Sequence, residues 1–150
     1  YSPSSIGFAE PTIAHEWVAG FDQQVVVLKL FPGLSASLLD HILHTPGLRG
    51  VVLETFGSGN APTDTTFLST IRAAVERGIT IVNVTQCYSG SVVMARYETG
   101  NVLSQTGVIG GGDMTTEAAV TKLMYLLAQD LSQEMVSRLM QVSLRGELTV

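Results

Sequence analysis

The sequence is poor in several groups that often announce a function. It holds one cysteine, Cys87, so no intrachain disulfide can form, a composition that suits a reducing compartment. Its only lysines are Lys29 and Lys122, and nowhere do basic residues cluster. The electrostatic footprint that nucleic acid or an anionic membrane surface requires is therefore missing, and neither is expected as a partner. Charged residues total 14%, against about 25% in an ordinary soluble domain. No apolar run nears the length of a membrane span. The opening Tyr1–Ser5 has neither a basic nor an apolar signal region.

What is present is apolar surface. Hydrophobic residues make up 45% of the 150 positions and mean hydropathy is +0.32, which excludes a disordered chain. A domain of this length can bury roughly 70% of the surface its unfolded chain exposes, so it needs no metal or disulfide staple. Eight basic and thirteen acidic residues leave a net charge of −5. Low charge with high apolarity suggests that part of the surface faces another protein surface, either a further domain or a second copy. The alternative is a merely apolar monomer.

The pattern along the chain alternates. Residues 1–23, with Pro3, Gly7, Pro11 and Gly20, show no sustained period and read as a linker that contributes at most an edge strand. Three short runs rich in β-branched residues follow, Val25–Leu30, Gly50–Glu54 and Ile79–Val84. Each reads as a strand buried on both faces. Ser35 caps a helix with Leu38, Leu39, Ile42 and Leu43 inward, and Pro46-Gly47 stops it. Asp64 opens a second helix with Phe67, Leu68, Ile71 and Val75 on one stripe, ended by Gly78. Met94–Thr106 looks partly helical, and Val108-Ile109 suits a short fourth strand. Thr115 or Asp113 caps a helix to about Gln129 with Ala119, Val120, Leu123, Met124 and Leu127 inward. Ser132 caps a last helix with Met135, Val136, Leu139 and Met140 inward. Alternating strands and helices imply an open parallel α/β sheet of about four strands with helices on both faces.

Ligands of such sheets bind beyond the carboxyl ends of the strands. Three loops qualify: 31–34, 55–62 and 85–90. The second places Thr55, Ser58 and Asn60 among glycines; the third offers Thr85, Gln86, Cys87, Tyr88 and Ser89. These hydroxyl and amide groups suit a small polar molecule, or they satisfy turns and caps. Cys87 ends a strand, but no histidine follows it, so a buried inert thiol is the better reading. His41 and His44, beside Asp40, lack a second ligand cluster and belong on a solvated face; no metal is expected. Gly57-x-Gly59 and Gly110-Gly111-Gly112 lack the spacing or lysine of a phosphate loop. Glu54, on an apolar strand, is a salt-bridge partner or an acid at a cleft.

Six motifs then occur in register: Phe31-Pro32-Gly33-Leu34-Ser35, Gly57-Ser58-Gly59-Asn60-Ala61-Pro62, Asn83-Val84-Thr85-Gln86-Cys87, Tyr97-Glu98-Thr99-Gly100, Gly107 to Thr115, and Leu144-Arg145-Gly146-Glu147-Leu148-Thr149. Together they resemble the carboxy-terminal domain of a type I, cytoplasmic L-asparaginase. The resemblance implies a three-layer, Rossmann-like domain over 24–150 and a two-domain enzyme that converts L-asparagine and water to L-aspartate and ammonia without a cofactor. In that family the catalytic threonines lie in an amino-terminal domain, and neither Thr-Gly-Gly-Thr nor His-Gly-Thr-Asp-Thr occurs in this chain. The resemblance assigns no catalytic residue here.

It implies substrate contacts instead, from Asn60, Tyr97 and the adjoining Glu98, made to the active site of a neighbouring subunit in a homodimer or homotetramer. It also implies effector contacts from Thr85, Gln86 and Cys87. Effector-responsive bacterial members carry an arginine where this chain has Glu54, and a carboxylate cannot salt-bridge an effector's carboxylate. Two other readings stand beside it. One is a non-catalytic α/β module for oligomerisation or for sensing a small amino acid. The other is the asparaginase-like subunit of a transfer-RNA-dependent amidotransferase, which the lack of a basic surface disfavours.

Overall fold

A computed structural model describes residues 20–57, 59–87, 92 and 102–149. Four parallel strands lie side by side in chain order: β1 (Val25–Lys29), β2 (Gly50–Thr55), β3 (Thr80–Thr85) and β4 (Ile109–Gly110). Register is continuous across the sheet, with Leu53 opposite Leu28 on one side and Asn83 on the other, and Gly110 beyond Asn83. The helices of eight residues or more are α1 (Ala36–Leu43), α2 (Thr65–Glu76), α3 (Thr116–Leu127) and α4 (Gln133–Met140), and residues 102–104 are helical as well.

Each of these helices starts where a short polar side chain replaces a missing backbone acceptor. Ser35, Asp64, Thr115 and Ser132 accept from the amides of Leu38, Phe67, Ala118 and Met135. Thr115, and not Asp113, is the cap of α3.

The sheet separates two cores. On one face Leu39 and Leu43 of α1 and Phe67, Ile71 and Ala74 of α2 pack on Val51, Leu53 and Ile81, and Leu103 and Val108 join them on the way to β4. On the other face Leu123, Leu126 and Leu127 of α3 and Val136 and Met140 of α4 cover Val52, Val82 and Val84. Each fully buried aliphatic side chain contributes roughly 1.5–3 kcal/mol. Gly50 permits the close approach of α3, because a Cβ there would sit 2.8 Å from Leu123 Cδ2 and 2.9 Å from Leu127 Cδ1.

Three sequence expectations are corrected. Among the described strands β1 lies at the edge of the sheet, and only Leu28 within it is buried while Val27 is exposed. Leu38 is exposed on α1, and Met135 is exposed on α4. Both lie in the first turn of their helix, where the amide donates to the cap side chain. The linker and edge-strand expectation lies outside the described residues up to position 19, as does residues 94–101 of the expected helix at Met94–Thr106.

Candidate functional site

The carboxyl ends of β1, β2 and β3 end in one laced rim. Gln86 supplies the lacing. Its Nε2 donates to the carbonyls of Leu30 (2.7 Å) and Glu54 (2.9 Å), and its backbone N–H donates to Thr55 (3.0 Å). One side chain thus ties the exits of three strands.

The loop after β2 folds back on itself. The amides of Gly59 and Asn60 both donate to the Phe56 carbonyl, at 3.1 and 2.7 Å, and the Phe56 amide donates to the Asn60 carbonyl at 2.8 Å. Thr85 Oγ1 donates to the Gly57 carbonyl and accepts from the Cys87 amide at 3.0 Å. Beneath the loop lies a buried polar pair. Thr55 Oγ1 donates to Asn83 Oδ1 at 2.6 Å, and Asn83 Nδ2 reaches the Gly59 carbonyl at 3.5 Å. Thr55, Gly59 and Asn83 are all buried, while Asn60 is half-buried at the rim. The loop is held from below by side-chain bonds and across its neck by backbone bonds.

The sequence candidates fall into three groups. Asn60, Thr85, Gln86 and Cys87 come together at this rim, with the Cys87 thiol exposed and not buried as the sequence suggested. A position past the end of β3, outside both cores, explains that. Tyr97 and Glu98 lie outside the described residues. Glu54 projects to the opposite face, where its carboxylate accepts from Thr116 Oγ1 at 2.5 Å and lies 3.8 Å from Lys29 Nζ. It acts there as a salt-bridge partner. His41 and His44 are exposed on α1, His44 beside Asp40 at 3.2 Å. Among the described residues no three His, Cys, Asp or Glu side chains converge on one point.

Two groups escaped the sequence reading. Asn83 is a carboxamide in an apolar strand, and that break in the pattern is its signal. Lys122 sits on the inward stripe of α3, where its side chain is 5% exposed. Its ammonium donates to the carbonyls of Met140 (3.1 Å) and Val142 (2.6 Å) and pairs with Glu147 Oε1 at 2.6 Å. Glu147 in turn accepts from the amides of Leu144 and Arg145. Burial raises the Glu147 pKa, but these amides and Lys122 outweigh it and bring it down to about 2. Asp113 is also lowered, by its bonds to Thr149. Together they strap the last residues beside the turn that follows β4.

The fold and rim define a class: an all-parallel α/β domain that presents amide and hydroxyl groups from its strand ends. Residues 24–140 match the family model described as the Glutaminase/Asparaginase C-terminal domain. The chain is 47% identical over 127 residues to L-asparaginase 1 of Escherichia coli strain K12, covering 85% of this chain and 37% of that protein. It is 46% identical over 132 residues to the human 60 kDa lysophospholipase, covering 87% of this chain and 23% of that protein. The crystal structure of L-asparaginase I from Vibrio cholerae superposes with a TM-score of 0.81 at 47% identity, over 85% of this chain and 38% of the other. This chain belongs to the Glutaminase/Asparaginase C-terminal domain family, and it spans little more than a third of the E. coli relative it matches. No helix among the described residues is long and apolar enough to cross a membrane.

Proposed function

We propose that this chain is the smaller, carboxy-terminal domain of a cytoplasmic L-asparaginase, with residues 1–23 as its linker and 24–150 as the domain. In this reading the whole enzyme hydrolyses L-asparagine to L-aspartate and ammonia. The attacking threonine belongs to an amino-terminal domain. This chain completes the active site of a neighbouring subunit and forms the dimer surface. Asn60, Tyr97 and Glu98 orient the substrate, Gln86 holds the rim in place, and Thr85, Gln86 and Cys87 are the candidates for an effector contact, without the arginine that effector-responsive members carry where this chain has Glu54.

The observation that carries the reading is the pinned loop after β2. A half-buried amide at a strand end, held at both its neck and its base, can orient a small zwitterion without taking part in proton transfer. Family membership and 47% identity to E. coli L-asparaginase 1 support the choice of substrate.

The test uses the encoded full-length protein. It should release ammonia from L-asparagine, and Asn60→Ala should raise KM about tenfold, the equivalent of one good hydrogen bond. The isolated 150-residue chain should release none. Turnover by that chain alone would end the proposal. Calorimetric binding of asparagine or aspartate to the isolated chain would favour an amino-acid sensor instead.

A further inference from the structure

Loop position, and not only loop sequence, decides what Asn60 can reach, and the observations identify what sets that position. Asn83 is wholly buried on β3, on the same face as Thr55 of β2, which lies two residues beyond Leu53, the register partner of Asn83. The Asn83 backbone carbonyl is occupied by the Gly111 amide at 2.8 Å, so β4 fixes the strand from its other side. The side chain reaches the loop, with Nδ2 3.5 Å from the Gly59 carbonyl.

Its orientation follows from donor and acceptor logic. With Oδ1 toward Thr55 Oγ1 and Nδ2 toward the Gly59 carbonyl, both ends of the amide are matched. Turning the amide over would set Oδ1 against the Gly59 carbonyl, two acceptors in a buried place. The Gly59 carbonyl, which can only accept, selects the first arrangement, and the Thr55 hydroxyl holds it by donating to Oδ1. Gly59 has φ of +109°, and a Cβ there would lie 3.3 Å from Asn83 Nδ2 and 2.9 Å from Val92 Cγ1. Only glycine lets the loop settle this close to the carboxamide. Asn60 is the next residue.

We propose that Asn83, oriented by Thr55, is the positioning residue that sets the height of the 56–60 loop and thereby the reach of Asn60 toward substrate. The inference rests on the reading of Asn60 as a substrate contact. Asn83 touches no substrate. It acts through the Gly59 carbonyl, and its loss leaves the chemical step in the other domain intact.

The test is a double-mutant cycle in the full-length enzyme, with KM and kcat for L-asparagine measured separately. Asn83→Asp keeps shape but removes the donor to Gly59. It should raise KM about tenfold, as expected for one displaced hydrogen bond, with kcat within about threefold. In an Asn60→Ala background it should add no more than about twofold, because both changes remove one interaction. Thr55→Val should show the same split and Thr55→Ser should restore the parent KM, so the test stands even if Asn83→Asp does not fold. Hydrogen exchange at the Gly59 and Asn60 amides should rise in Asn83→Asp.

A merely structural Asn83 lowers the amount of active enzyme, and so kcat, at constant KM; that result overturns the proposal. So does additivity with Asn60→Ala. If Asn60→Ala itself leaves KM unchanged, the substrate reading fails as well, which separates the two failures.

Discussion

Replacing Lys122 by methionine tests how the end of the chain is held. The ammonium has three protons and three acceptors, the carbonyls of Met140 and Val142 and the carboxylate of Glu147, within 2.6–3.1 Å. Methionine keeps the stem's volume and removes all three bonds. Glu147 is left with a carboxylate whose side chain is 14% exposed and with no cation to answer it. Breaking one side of a buried ion pair costs about 3–5 kcal/mol. The cost falls on the segment that Glu147 organises, so the Leu144 and Arg145 amides should exchange with solvent about a hundredfold to a few thousandfold faster. Exchange measured by mass spectrometry on peptides covering 141–149 reads this directly. Adding Glu147→Gln to Lys122→Met removes the orphaned charge while keeping an acceptor for the two amides, and should recover most of the protection. A change of less than about fivefold in the single variant, or a double variant that is worse, refutes the reasoning that the pair is a strap.

Acid should release the same segment late. Glu147 and Asp113 are both lowered in the folded protein, so their contribution is complete above about pH 4.5 and is lost as pH falls through the folded value, about 2 for Glu147. Pepsin release of residues 141–150 should therefore begin well below pH 4, and a midpoint near 4.5 contradicts it. Gly59→Ala should cost about 1–3 kcal/mol in denaturant unfolding and raise KM, because φ of +109° and the Val92 contact both oppose a side chain; an alanine variant of parent stability and KM contradicts the loop geometry. Gln86→Glu sets a carboxylate against the carbonyls of Leu30 and Glu54 and should destabilise by about 2–3 kcal/mol, read from denaturant midpoints, whereas Gln86 serving only as a ligand contact predicts no change. Leu39→Ala should cost about 2–5 kcal/mol and Leu38→Ala less than about 1, since their exposures are 1% and 48%; equal costs contradict the placement of α1.

Most of the fold was legible because its signals are local. Ser35, Asp64 and Ser132 announce helices through a short side chain before an apolar stripe, and the β-branched runs of β2 and β3 announce strands covered on both faces. β1 carries the same composition as β2, yet being an edge is a property of strand order, which no run of five residues encodes. Leu38 and Met135 fit the helical stripe by spacing but lie in the first turn and are exposed, while Phe67 at the same position of α2 is buried, so the neighbours decide and not the spacing. At the rim, the loops holding Asn60 and Thr85–Cys87 were visible as polar punctuation after apolar strands. The partners were not. Thr55 and Asn83 lie 28 positions apart and Lys122 and Glu147 lie 25 apart, so each pair exists only through register or helix packing.

The strands cross the sheet in chain order, and this has a consequence for how the domain meets a ligand. Where strand order doubles back, neighbouring connections leave on opposite faces and open a slot, and ligands of such sheets settle there. Here α1 and α2, which connect β1 to β2 and β2 to β3, keep to one face, so the ends of these three strands share no slot between oppositely directed connections. The loops stand as a single jaw. In the function proposed above, such a jaw grips a small molecule only against the domain that carries the attacking threonine.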